Sequence, residues 1–254
     1  ATKERLAAHG VPVPPTLAHF ATPADTAAFD WASLPSQWVM KPQRGSRGRG
    51  VLVVVGRDDL GWWRADGGRF TVSDASQHAA SILDGEFTSG IADGAIVEPL
   101  LVSHSALAGC APVGLPDVRV ICHRGSALLS MLRIPTIASG GRGNLHQGGI
   151  GAAVDLELGT IIRAVHMGRT ITHHPDTGAM LVGLTVPLWR DVVEAAAASG
   201  PATGLGYAGV DLVVDASLGA VVLEVNGHPG LEIQNVCETS LQRLLSHSGR
   251  AGSV

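Results

Sequence analysis

Residues 207–226 read YAGVDLVVDASLGAVVLEVN. Two aliphatic runs flank a short turn, which is the pattern of a β-hairpin. With the turn at residues 216–219, Asp215 faces Ala220, Val214 faces Val221 and Asp211 faces Glu224. Side chains alternate along a strand, so Glu224 and Asn226 point to the face of Asp211. Two carboxylates directly opposite on a sheet repel each other, and their neighbours here are mostly apolar, so something must compensate. A hard divalent cation would do so through the oxygens of Asp, Glu and Asn. Magnesium held by carboxylates plus nucleotide phosphates is therefore one reading. A protonated or solvent-facing acid on an edge strand is the other, and a slip of one residue would undo the pairing.

Upstream, residues 38–55 read WVMKPQRGSRGRGVLVVV. Gly45, Gly48 and Gly50 lie between two strands, at residues 37–42 and 51–55. Glycines let a backbone turn sharply and bring its N–H groups to a phosphate. Lys41 ends the first strand and could reach the same phosphates as a point charge, and Arg44, Arg47 and Arg49 add positive potential. A Walker loop and a dinucleotide fingerprint both require a helix next, whereas a strand follows here. A kinase would also need its catalytic-loop Asp and a DFG, and neither is present. A flexible flap over a nucleotide and an ordinary exposed turn both remain open.

The 254 residues are 45% hydrophobic and 16% charged, enough apolar material for a sizeable core. The net charge of −4 gives no global field for nucleic acid or a membrane surface. The three cysteines, Cys110, Cys122 and Cys237, lack metal-ligand spacing, and a reducing cytosol fits them. No apolar run is long enough to span a bilayer, and the N-terminus lacks a signal-peptide pattern. The chain opens without Met in a helical pattern at residues 2–9, which reads as a trimmed start with a segment missing upstream.

The remaining elements are helices near residues 23–31, 73–90, 186–199 and 231–245, and a strand at 95–98 ending at Pro99. A hairpin over residues 117–134 turns near Gly125, and residues 138–151 are Gly-rich and irregular. Strands paired by short turns argue for an α+β fold with mainly antiparallel sheets.

Asp117 and Arg119 share a face of the middle hairpin, which also carries Arg133. Arginine suits phosphate or carboxylate through its two parallel donors, although a surface ion pair explains an Asp–Arg pair as well. Loop 144–149, with Asn144, His146, Gln147 and Gly148, could present backbone N–H groups to an oxyanion or simply connect strands. His173 and His174 are adjacent, so they cannot easily share one ion, and a turn with one structural histidine is expected. No HExxH or GxSxG motif appears.

In this order the pieces resemble the ATP-grasp superfamily. KPQRGSRGRGV, then LRIPT with GNLHQGG and THHPDTG, then GYAGVDLVVD with LEVNGHPGLEIQN resemble the alpha-L-glutamate ligase-related family over nearly the whole chain. The resemblance implies two α+β subdomains with mainly antiparallel sheets gripping a nucleotide between them. Residues 1–35 would be an N-terminal helical part, 36–101 a small flap subdomain with the hinge, and 102–254 a large subdomain. Lys41, Gly45, Ser46 and Gly48 would bind phosphates, and Arg119 the γ-phosphate side. Glu98, Leu100 and Leu101 would form the adenine hinge, where Pro99 removes one backbone donor. Asp211, Glu224 and Asn226 would hold Mg2+. Arg133, Asn144, His146 and Gly148 would face an acyl phosphate and the incoming nucleophile. An Asp-Lys expected just upstream of the first helix is absent from this chain.

The activity implied is ATP- and Mg-dependent carboxylate–amine ligation by a cytoplasmic enzyme. Its substrates would be a small-molecule or peptide carboxylate and an amine, with glutamate suggested by the resemblance. No nucleic-acid or membrane partner is expected, and homo-oligomerisation is left open. A phosphotransferase on the same fold, or a non-catalytic nucleotide-binding module of a larger assembly, are the alternatives.

Overall fold

The computed structural model describes residues 2–45, 48–59 and 61–248. The chain opens with α1 (Thr2–Ala8), followed by β1 (Ala18–Phe20), α2 (Pro23–Ala28), β2 (Trp38–Pro42) and β3 (Leu52–Asp58). Next come β4 (Gly61–Arg64), β5 (Arg69–Phe70), α3 (Val72–Leu83) and β6 (Ala95–Pro99). The second half holds β7 (Asp117–His123), β8 (Ser126–Ile134), β9 (Ile150–Val154), β10 (Ile161–His166) and β11 (Arg169–Ile171). It ends with α4 (Trp189–Thr203), β12 (Tyr207–Asp215), β13 (Gly219–Asn226), α5 (Glu232–Cys237) and α6 (Leu241–Ser248). The fold is α+β, and the described strands pair antiparallel.

The chain divides into two compact units, residues 14–100 and residues 1–13 with 101–254. The first contains a six-stranded sheet in the order β1-β6-β2-β3-β4-β5. Four of the five tryptophans and all four phenylalanines fall in it, so aromatic rings supply core volume that its two short helices do not. Trp38 is fully buried and stands edge-on to Trp62 and Phe70, with ring centroids 5.6 and 5.9 Å away. Thr22 and Thr71 cap α2 and α3, each in a capping box with an Asp three residues on.

The second unit contains a seven-stranded sheet in the order β11-β10-β9-β8-β7-β12-β13. One face packs Val118, Val120, Leu132, Val210 and Leu212 against Val192 and Ala196 of α4. On the other face, Ile121, Leu129, Met131 and Ala153 pack with Ile233, Val236 and Leu241 of α5 and α6. That second face also carries the odd-numbered residues of β7, so Asp117 and Arg119 continue the row begun by Ile121. Leu6 and Val11 are buried in the first of these cores, and Pro12 accepts a bond from the Val222 N–H, which ties the N-terminal segment to β13.

Several expected boundaries are corrected. The helix expected over 73–90 stops at Leu83, because Gly85 takes a left-handed φ of 80° and a Cβ there would meet the Ile91 carbonyl oxygen at 2.4 Å. The helix expected from residue 186 begins at Trp189, after a left-handed Leu188. The closing helix is two, α5 and α6, separated by a left-handed Glu238. Residue 150 opens a strand, so β9 begins inside the stretch read as irregular.

Buried Asp215 closes β12. Its carboxylate accepts the backbone N–H of Val102 at 2.6 Å and those of Ser217 and Leu218 at 2.8 Å, so one side chain builds the β12–β13 turn and holds segment 102–104 beside it. Hydrogen bonds to a charged acceptor are the stronger kind, so Asp215→Ala is expected to cost about 2 kcal/mol in denaturant unfolding.

Candidate functional site

The β12–β13 hairpin places Asp211 opposite Glu224, as alternation predicts, by a different route. The turn is one residue shorter than assumed: Asp215 pairs with Gly219, Val214 with Ala220 and Val213 with Val221. Leu223 is the extra residue of a bulge opposite Asp211 and Leu212, and beyond it the register returns to Asp211–Glu224 and Gly209–Asn226. A regular ladder would have paired Asp211 with Leu223.

On its other side, Asp211 pairs with Arg119 of β7, and Asp117 pairs with Arg133 of β8. These neighbours form a charged cluster on one sheet face. Arg119 donates to both Asp211 oxygens, Nε to Oδ1 and Nη2 to Oδ2, each at 2.7 Å. Arg133 Nη2 donates to Asp211 Oδ2 at 2.7 Å, and its Nε to Asp117 Oδ1 at 2.5 Å. Asp117 pairs with Arg133 and Arg119 with Asp211, and neither pair lies on an exposed surface, which corrects the surface ion pair weighed for them.

The two carboxyls share one arginine unequally. Burial raises the Asp211 carboxyl, but the hydrogen bonds from Arg119 and the charges of both arginines outweigh it and hold it below the ordinary range. Burial pushes Asp117 up to about 6, with the Arg133 charge opposing and the Asp211 charge adding to the rise. Burial also disfavours the charge on Arg133, but Asp117 and Asp211 overcome this and raise it.

Among the described residues, no three His, Cys, Asp or Glu gather as a metal-holding group. Asp211, Glu224 and Asn226 offer two carboxylates and one amide. A carboxylate has about four acceptor sites, and three guanidinium N–H groups occupy Asp211, leaving one on Oδ1. Asn226 Oδ1 accepts the His228 N–H at 2.8 Å and retains its second lone pair. By donor chemistry the set fits a hard cation such as magnesium.

Loop 144–149 lies against this cluster. A Cβ on Gly143 would come within 3.2 Å of both Asp117 Oδ2 and Arg133 Cβ, so the loop enters with its backbone on the ion pair. Asn144 Oδ1 then accepts the His146 N–H at 3.0 Å, Leu145–Gln147 form one 3-10 turn, and left-handed Gly148 ends it. The Gly148 carbonyl is bonded by the Thr136 hydroxyl at 2.8 Å and by His166 Nε2 at 3.1 Å. His174 is buried, with Nε2 on the Pro135 carbonyl and Nδ1 accepting the Asp176 N–H, which makes it a structural pin. His173 instead bonds the Thr172 hydroxyl.

In the unit of residues 14–100, Lys41 lies opposite Ile96, so Glu98 is its diagonal neighbour on the same face, and their side chains pair at 2.6 Å. Glu98 is buried and Lys41 partly exposed. The roots of the glycine loop are tied down. Asp93 accepts the Arg44 N–H at 2.8 Å, His78 Nε2 bonds the Gly50 carbonyl at 2.9 Å, and a Cβ on Gly45 would press on Pro42 at 2.9 Å. Gly48 takes a φ of 70° with open space around it. Ser46 and Arg47 lie outside the described residues. Leu100 ends this unit, and at Leu101 the chain returns to the other. The anchoring roles of Asp93, His78 and Asp215, and the pairing of Glu232 with His146 at 3.0 Å, escaped sequence reading. Of these, only Asp215, a strand-ending Asp before a turn, carried a local signal.

The family described as "Sugar-transfer associated ATP-grasp" matches residues 1–250. No curated protein matches the sequence. Among solved structures, the chain is similar to the D-alanine–D-alanine ligase from Bacillus anthracis complexed with ATP, with a TM-score of 0.50 and 16% identity over 98% of this chain and 59% of that one. It is also similar to the D-cycloserine synthetase DcsG, with a TM-score of 0.48 and 18% identity over 96% and 68% of the two chains. A third similar structure is the ATP-grasp ligase PsnB complexed with minimal precursor, Mg and ADP, with a TM-score of 0.46 and 14% identity over 98% and 57%. The likeness to the D-alanine ligase is one of fold. The chain spans 57 to 68% of the length of these three structures.

Asp117 binds its proton more tightly folded, at about 6, than unfolded, at about 3.9. The stability it contributes is present at low pH and lost as pH rises through that window. Unfolding of the wild type and of Asp117→Asn across the window should show the wild type losing stability relative to the variant. Parallel curves would count against a raised Asp117.

Proposed function

The chain belongs to the sugar-transfer associated ATP-grasp family, and from that membership we propose that it is an ATP-dependent carboxylate–amine ligase working with magnesium. The observation that carries this reading is the row Arg119–Asp211–Glu224 across three neighbouring strands, with Arg133 joined to it. Such a row sets guanidinium forks, which suit phosphate oxygens, beside carboxylates, which suit a hard cation.

The roles follow by unit. In residues 14–100, Lys41 would meet the α- and β-phosphates as a point charge, with Glu98 holding its ammonium in place. The N–H groups of Gly45 and Gly48 would approach the same phosphates. Glu98 and the backbone of Leu100 would bound the adenine, and Leu101 is assigned to the same hinge. In the other unit, Arg119 would contact the γ-phosphate side. Asp211, Glu224 and Asn226 would hold magnesium, which when bound would neutralise triphosphate charge. Arg133 and the loop with Asn144, His146 and Gly148 would face the acyl group.

The reaction is then a two-step transfer. A carboxylate oxygen of the substrate attacks the γ-phosphorus and ADP leaves. An amine nitrogen attacks the resulting acyl phosphate, and inorganic phosphate leaves. The chain contributes positioning and charge neutralisation. Glutamate, named by the sequence resemblance, is the first acid and amine to try. The free thiols Cys110, Cys122 and Cys237 suit a cytoplasmic setting, and no described helix is long and apolar enough to cross a membrane.

Glu224 is exposed, so Glu224→Gln should leave the unfolding midpoint near that of the wild type while ADP release with acid and amine falls to background. ADP release that survives the change would remove Glu224 from the metal assignment. Lys41→Met should raise the KM for ATP at least about tenfold, the equivalent of 1.4 kcal/mol, read from initial rates of ADP release. Chelation with EDTA should stop the reaction, and added Mg2+ should restore it.

A further inference from the structure

An aliphatic amine is mostly ammonium at pH 7, and only its neutral form has the lone pair needed to attack an acyl phosphate. The ligase reading leaves open where that proton goes. His146 Nε2 lies 3.0 Å from Glu232 Oε1. The His146 side chain is 73% exposed, and among the described residues nothing else pairs with its ring.

Both members stand on anchored backbone. Asn144 caps the His146 N–H, and the Gly148 carbonyl is held by Thr136 and His166. Glu232 opens α5, whose Ile233 and Val236 are buried in the core beneath the sheet face that carries the ion cluster. The loop bearing His146 is entered from Gly143, where an added Cβ would lie 3.2 Å from Asp117 Oδ2 and from Arg133 Cβ. A carboxylate on one ring nitrogen sets the tautomer: with Nε2–H directed at Glu232, Nδ1 keeps the lone pair.

We infer that His146 accepts the proton of the attacking amine at Nδ1, with Glu232 as the positioning residue that fixes its ring. The inference rests on the ligase reading. In the step, the ammonium gives a proton to Nδ1 and its nitrogen lone pair forms the C–N bond. The bond from the acyl carbon to the phosphate oxygen breaks, phosphate leaves with that electron pair and takes the second proton from the nitrogen, and His146 returns its proton to solvent. An exposed ion pair that only ties α5 to the loop would add little stability and would not distinguish one nucleophile from another.

Hydroxylamine makes that distinction, because it is largely neutral at pH 7 and needs no base before it attacks. The full chain is given MgATP and a panel of N-acetylated amino acids as carboxylate donors, with either hydroxylamine or L-glutamate as nucleophile. For His146→Asn, the amide yield should fall about 100-fold relative to the hydroxamate yield, and for Glu232→Gln about tenfold. Equal loss of both products would overturn the role of His146. A wild type that makes no hydroxamate from any donor would sink the ligase reading instead. Independently of turnover, nitrogen-15 spectra of labelled histidine at pH 8 should show His146 as the Nε2–H tautomer, and as a mixture in Glu232→Gln. An Nδ1–H tautomer in the wild type would overturn the inference on its own.

Discussion

The constraint on which the second unit depends is the sharing of buried Asp211 between two arginines from neighbouring strands. Asp211 is 6% exposed and accepts three guanidinium bonds. A lone carboxylate at that depth would be costly, and removing one partner from such a network costs about 3–5 kcal/mol because a charge is left uncompensated. The β7–β12 and β7–β8 registers both meet this demand, setting Arg119 beside Asp211 and Asp117 beside Arg133. The Leu223 bulge meets it on the third side by returning Glu224 to the same row. Replacing the cluster by apolar residues would often leave a fold as stable or more so. The cluster is therefore weak evidence for stability in itself.

The proposed chemistry has two halves, and the donor set of the cluster suits both. Arg119 engages Asp211 through two parallel bonds, the geometry in which a guanidinium also binds phosphate. Asp211 keeps one acceptor site, and Glu224 and Asn226 lie along the neighbouring strand toward its C-terminal end. Family membership adds ATP to this picture. The chain spans little more than half the length of the D-alanine ligase it resembles in fold, so substrate choice rests on the proposal made for this chain's own residues.

The pairing of Asp211 with Glu224 was legible because strand alternation and a short turn leave few registers. It was reached with a turn one residue too long and no bulge, two errors that cancel. Periodicity cannot see a bulge, since Leu223 looks like any other strand residue. Asp117 and Arg119 were placed on one face by the same alternation, but the partner of Arg119 was not, because Asp211 comes from β12, whose register on β7 no local turn sets. Residues 18–20, 61–64 and 69–70 are strands of two to four residues, too short for a period-2 pattern to emerge. Strand β9, IGAAV, is buried at every position and reads as a small-residue run without alternation. Glu232 was invisible because its partner, His146, lies 86 residues away and local sequence carries no trace of the pair.

Oxygen labelling tests the central claim most directly. A carboxylate donor carrying 18O in its carboxyl group is incubated with the chain, MgATP and an amine, and the released phosphate is examined by phosphorus NMR. An acyl-phosphate ligase transfers one donor oxygen to each phosphate released, so the account predicts singly labelled phosphate matched one to one with amide. ADP accumulating with unlabelled phosphate would mean that water took the phosphoryl group, and ADP accumulating with no free phosphate that a hydroxyl did; either would contradict the account.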